Sequence, residues 1–263
     1  MIRIFCMLAA LMPFMLSPEI VFSAEREETI PTRGDVTISF VVTEPSDKPK
    51  AAAILFMGGH GKVSLWRGKG PRSSNFLVRS RQLFADRGIF TVTVDVASDQ
   101  RQSGLYDLRD GGDHRKDIAA VIRWIRTQTD APLWLVGTSR GTLSVAHLAG
   151  ILPVDGAVFS ASLFKGTGRR PETVHDADLD RIRVPALIVH HKFDECHVTP
   201  AYGVSRLASS LRNAAKVEML MFEGGDDPIS KPCQARSAHG FLGIEEKVVD
   251  ATVRWMLANG SGK

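Results

Sequence analysis

Residues Gly137-Thr138-Ser139-Arg140-Gly141 form a G-x-S-x-G pentad. An apolar run, residues 133–136, precedes it and a small-residue helical pattern, residues 141–150, follows. A strand that turns into a helix within so few residues leaves no room for side chains at the flanking positions, so glycine there serves close packing. The serine hydroxyl then stands clear at the end of the sheet. The start of the helix aims backbone N–H groups at the same point, where negative charge would be stabilised. Glycine and serine are common, so the pentad alone is a weak signal. Its place between strand and helix makes Ser139 a candidate nucleophile.

The rest of the chain supplies the matching alternation. Strand-like segments fall at residues 36–42, 52–57, 89–96, 132–136, 157–161, 186–191 and 217–222. Helical patterns fall at 73–87, 113–129, from 139 onward, 200–213 and 244–258, with Asp113 as a candidate cap. In the second of these helices Ile118, Val121, Ile122 and Ile125 share one face. Strands alternating with helices predict an α/β fold of three layers, a mostly parallel sheet with helices on both faces. No repeat or linker divides the chain, so residues 25–263 are expected to form one domain. About two dozen residues between the strands near Ala161 and Ala186 leave room for a small flap, hence a minimal cap. In such sheets ligands bind at the carboxyl ends of the strands.

A serine hydroxyl needs a base within reach, and the base needs an orienting carboxylate. Asp194 follows the strand 186–191 by a short loop, with Glu195 beside it as a competitor. His239 lies on a loop before the terminal helix, and Gly240 lets that loop pass close to other backbone. The remaining histidines sit within helical patterns, in a strand, in a polar stretch or in the acid loop. A glycine-rich loop, Gly58-Gly59-His60-Gly61, follows the strand 52–57. The N–H of Gly59 or His60, with that of Arg140, is the expected oxyanion hole.

These features, Gly58 to Gly61, the pentad, Asp194 and His239 in that order, resemble the α/β-hydrolase fold serine hydrolases, near the compact dienelactone-hydrolase-like and esterase members. The resemblance covers nearly all of residues 25–263. It implies Ser139 as nucleophile, Asp194 as acid and His239 as base, acting on a small-molecule ester or acyl substrate, with no metal or organic cofactor required. The same fold hosts peptidases, thioesterases and non-catalytic binding proteins, so the resemblance speaks to mechanism more than to substrate.

Residues 1–24 differ from the rest. Arg3 precedes an apolar run, residues 4–16, and polarity switches at Glu25-Arg26-Glu27-Glu28. This pattern reads as a signal peptide cleaved after Ser23 or Ala24, and predicts a periplasmic or secreted protein. Two cysteines then remain, Cys196 and Cys233, and an even pair in an oxidising compartment predicts a disulfide joining the acid loop to the base loop. The net charge of +4 is scattered over the chain and gives no nucleic-acid signature. His190, His191, Asp194, Cys196 and His197 resemble a metal cluster by composition, yet neighbours in a strand point to opposite faces and do not converge. The loop 62–72, with Lys62, Arg67, Lys69 and Arg72, is expected to border the site. Arg140 either reaches a substrate carboxylate or turns into the fold.

Overall fold

The computed structural model describes residues 24–260. The eight strands are β1 (Glu25–Arg33), β2 (Val36–Thr43), β3 (Ala51–Phe56), β4 (Ile89–Ala97), β5 (Leu133–Thr138), β6 (Gly156–Ser160), β7 (Ala186–His191) and β8 (Val217–Phe222). They form one sheet in the order β1-β2-β4-β3-β5-β6-β7-β8. From β4 to β8 every pairing is parallel, while β1 and β2 add an antiparallel end. The helices are α1 (Phe76–Ala85), α2 (Gly112–Gln128), α3 (Gly141–Leu148), α4 (Gly203–Ser210) and α5 (Glu245–Asn259). This is the α/β-hydrolase fold.

The central strands are apolar along their whole length because both faces are covered. In β3, Ala52, Ile54 and Phe56 pack with apolar residues of α2, α3 and α4. Ala51, Ala53 and Leu55 face the other way and pack with α1 and α5. The chain after β3 therefore leaves toward one face, and the chain after β5 toward the other. The resulting crevice at the carboxyl ends of β3 and β5 is the topological switch point where such sheets bind ligands. Residues 57–61 and Ser139 lie there.

Three expectations need correction. Strand β1 was not anticipated: its residues are charged and polar and alternate between exposed and half-buried, as suits an edge strand. It joins β2 through Gly34-Asp35, with Gly34 left-handed at φ 49°. Helix α2 is preceded by Gly111 in extended conformation, with no side-chain cap, so Asp113 is not the cap. Asp113 sits in the first turn, where its charge suits the helix dipole. The helix after the pentad starts at Gly141, not at Ser139, because Ser139 is left-handed.

Candidate active site

The turn around Ser139 is defined by close contacts. β5 continues through Thr138, Ser139 has φ 53°, and Arg140 at φ −57° leads into α3. A non-glycine residue at positive φ costs roughly 1–3 kcal/mol and persists only where the surroundings impose it. Here Ser139 N–H donates to the Ser160 carbonyl at 2.9 Å, and the Ser139 carbonyl accepts from Thr142 N–H and Oγ1 at 2.9 and 2.6 Å. A Cβ on Gly141 would lie 2.1 Å from the Phe56 carbonyl oxygen, and one on Gly137 would lie 2.5 Å from that of Gly141. Both glycines are therefore dictated by backbone packing. The half-buried Ser139 hydroxyl makes no hydrogen bond among the described residues, to His239 or to any other group.

Asp194 and His239 are brought together directly. Asp194 follows β7 and is 8% exposed, whereas Glu195 is exposed to solvent. His239 Nδ1 lies 2.9 Å from Asp194 Oδ2. The second carboxylate oxygen accepts the Cys196 N–H at 2.9 Å. Burial pushes the Asp194 pKa up and is the largest single influence. The hydrogen bond from His239, the His239 charge and the Cys196 N–H together outweigh it and hold the carboxyl below its ordinary range.

Thr199 belongs to the same cluster and was not singled out from the sequence. Its hydroxyl donates to Asp194 Oδ2 at 2.8 Å and lies 3.1 Å from His239 Nδ1. Nothing in its spacing announces this, since it reaches the pair only through the turn that follows Cys196. His190 is also close, with Nε2 3.7 Å from Asp194 Oδ2. It is fully buried, and both ring nitrogens lack hydrogen-bond partners among the described residues. Burial above all pulls its pKa down to about 4, so it is neutral near pH 7.

Cys196 and Cys233 form a disulfide, with Cα atoms 4.5 Å apart. Cys196 is buried beside Asp194, and Cys233 lies on the exposed segment that leads to His239. The other members of the composition-based metal cluster point elsewhere: His191 Nε2 contacts the Gly224 carbonyl at 2.9 Å, and His197 Nδ1 lies 3.6 Å from Cys233 Sγ. Among the described residues no group of three or more His, Cys, Asp or Glu is arranged to hold a metal ion.

The residues expected to form the oxyanion hole line the same crevice. A Cβ on Gly58 would lie 2.9 Å from the Ser139 Cβ, so this loop passes directly over the serine. Gly59 is left-handed at φ 58°, and Gly61 N–H donates to the Gly58 carbonyl at 3.2 Å. The N–H groups of Gly59, His60 and Arg140 have no acceptor among the described residues. The Arg140 side chain pairs with Glu172 at 2.8 Å and lies over the Tyr106 ring, which Arg170 also covers. The loop 62–72 is anchored by Asp95, whose carboxylate accepts the N–H groups of Val63 and Leu65 at 2.9 and 2.8 Å.

Solved structures with the same architecture carry related descriptions. An α/β serine hydrolase homologue from Coxiella burnetii matches with 19% identity and a TM-score of 0.62, over 88% of this chain and 97% of that one. An esterase from Pyrococcus furiosus matches with 12% identity and a TM-score of 0.66, over 94% of this chain and 96% of that one. A dienelactone hydrolase from Anabaena variabilis matches with 14% identity and a TM-score of 0.62, over 92% of this chain and the whole of that one. At these identities the likeness is one of fold. No protein-family model matches the sequence, and no curated protein does.

Proposed function

We propose that this protein is a serine hydrolase that transfers the acyl group of a carboxylic ester to water, with Ser139 as nucleophile, His239 as base and Asp194 as the orienting acid. The observation that carries the proposal is the buried His239–Asp194 contact of 2.9 Å, on the loops after β7 and β8, in a sheet that presents Ser139 on a left-handed turn. As the Ser139 oxygen attacks the ester carbonyl, His239 Nε2 takes its proton, and the carbonyl oxygen becomes an anion facing the N–H groups of Arg140 and of the loop at Gly59 and His60. Collapse expels the alkoxide, which receives that proton. Water then attacks the acyl-enzyme and gives a proton to His239, which returns it to the Ser139 oxygen as that oxygen leaves, releasing the acid and restoring the hydroxyl. No step requires a metal or an organic cofactor.

The esterase and the dienelactone hydrolase among the fold relatives support an ester over other acyl compounds. The connection from β6 to β7 contains two short 3-10 turns, Val174–Asp176 and Leu179–Arg181, and one isolated bridge between Thr167 and Arg170, and no longer helix, which suits small, accessible esters. The test is a matched panel of short-chain esters, thioesters and peptides with wild type and His239→Ala. Ester turnover that falls by roughly a thousandfold or more in the variant is the expected result. Preferential peptide or thioester cleavage would reassign the bond, and undiminished turnover in the variant would overturn the mechanism.

The proposal includes export, with residues 1–24 removed as a signal peptide. The Cys196–Cys233 disulfide supports an oxidising compartment. Among the described residues no helix is long and apolar enough to cross a membrane. Recovery outside the cytoplasm of a chain beginning at Ala24 or Glu25 is expected. A protein retained inside the cell with Met1 intact would contradict it.

A further inference from the structure

Arg109 is a buried cation with no carboxylate partner among the described residues. It lies in the turn before α2 and is 3% exposed. Its Nη1 donates to Ser144 Oγ on α3 at 2.8 Å. Its Nη2 donates to the Met57 carbonyl at 3.0 Å and to the Gly59 carbonyl at 3.4 Å. The Nε–H has no acceptor among the described residues. Ser144 Oγ is also 3.0 Å from His114 Nε2, so the hydroxyl is held from both sides. Burial, with a smaller contribution from Arg140, pulls the guanidinium pKa down to about 9, and it is still charged at neutral pH.

A charge buried without a counter-ion is costly. Its partners show what it accomplishes. A trans peptide places C=O and N–H on opposite sides, so a carbonyl drawn one way turns the following N–H the other way. Drawing the Gly59 carbonyl toward Arg109 turns the His60 N–H, which has no acceptor among the described residues, to the opposite side. The Gly58 carbonyl is held by Gly61 N–H and the His60 carbonyl by Leu105 N–H at 2.8 Å. All four carbonyls from Met57 to His60 are thus engaged within the protein. The same guanidinium grips α3 through Ser144, and Arg140 is the residue that caps the start of that helix. One side chain therefore links both halves of the oxyanion hole.

We propose that Arg109 is the positioning residue of this site: it staples residues 57–60 to the nucleophile helix and aims the His60 N–H at the developing oxyanion. The inference rests on the hydrolase reading above, and its structural half is testable without it. The positive charge serves the same end, because it is unpaired at rest and is opposed by negative charge only when the tetrahedral intermediate forms.

The experiment compares Arg109→Met, Arg109→Lys and Ser144→Ala with wild type, by steady-state ester hydrolysis, by inhibition with an alkyl trifluoromethyl ketone, and by hydrogen exchange. Arg109→Met is expected to lower kcat about a hundredfold with KM within about threefold, and to weaken the ketone in parallel with kcat/KM. Arg109→Lys, which keeps the charge, is expected to recover part of kcat. Faster exchange is expected in residues 57–63 and not in α5. If Arg109→Met does not fold, Arg109→Lys and Ser144→Ala carry the same readouts, each with a smaller loss in kcat. Unchanged exchange in residues 57–63, or a loss confined to KM or to thermal stability, would overturn the inference. Local loosening in the variants of a protein that hydrolyses no ester would retain the staple and overturn the hydrolase reading instead.

Discussion

The backbone N–H of Cys196 donates to Asp194 Oδ1 at 2.9 Å, so the half-cystine that anchors the disulfide also holds the carboxylate that contacts His239. The other half-cystine, Cys233, lies on the exposed segment between β8 and His239. One covalent link therefore fixes the separation of the acid loop and the base loop.

Removal of that link should reduce both stability and catalysis. The two cysteines are 37 residues apart, for which chain-entropy arguments give roughly 3–4 kcal/mol. A Cys196→Ala/Cys233→Ala double variant is expected to lose about that much in chemical denaturation. It should also lose about tenfold in kcat as the approach to His239 loosens, and reductant should reproduce the loss in wild type. Unchanged turnover in the bridgeless protein would limit the disulfide to stability, and two alkylatable thiols in the unreduced mature protein would remove it from the account.

Thr199 is expected to tune the Asp194–His239 pair. Thr199→Val keeps the shape but deletes the hydroxyl that donates to Asp194 Oδ2 and lies beside His239 Nδ1. One hydrogen bond to a carboxylate is worth about 1.5–3 kcal/mol, of which only the part that differs in the transition state reaches kcat. A drop in kcat of about tenfold with KM little changed is the expected outcome of steady-state kinetics. Equal rates in variant and wild type would make the hydroxyl a bystander.

His190 should make stability fall with acidity. Its pKa is pulled from 6.5 down to about 4 by burial, so between those values the unfolded chain binds a proton that the folded chain does not. Stability contributed by the neutral imidazole is then complete above about pH 6.5 and declines at about 1.4 kcal/mol per pH unit toward pH 4. His190→Phe, placed next to Phe164, is expected to flatten the profile by about one proton in denaturation series across that range. An identical slope in the variant would show that His190 does not carry it.

How far the sequence foretells this site depends on what each residue has to satisfy. Gly137 and Gly141 are legible because backbone lies 2.1–2.5 Å from where a Cβ would be, and steric demands of that kind fix a residue type. Asp194 and His239 are legible because each follows a strand, and a parallel sheet collects such loops at one edge. The sequence offers Asp194 with Glu195 as its competitor, and the structure separates the neighbours by burying the first and exposing the second. Thr199 and Arg109 left no signal: both act through contacts with segments distant in sequence. Strand β1 was hidden because an edge strand facing solvent needs no apolar alternation, and its charges find partners elsewhere, as Glu25 does with Arg81 and Arg33 with Asp117.

The central claim is that Ser139 is an activated nucleophile. Its most direct test is labelling of the folded mature protein with a fluorophosphonate probe, in wild type and Ser139→Ala. The account predicts one covalent label on wild type, located at Ser139 by peptide mapping and absent from the variant. A well-folded wild type that takes no label, or a label that persists in Ser139→Ala, would contradict it.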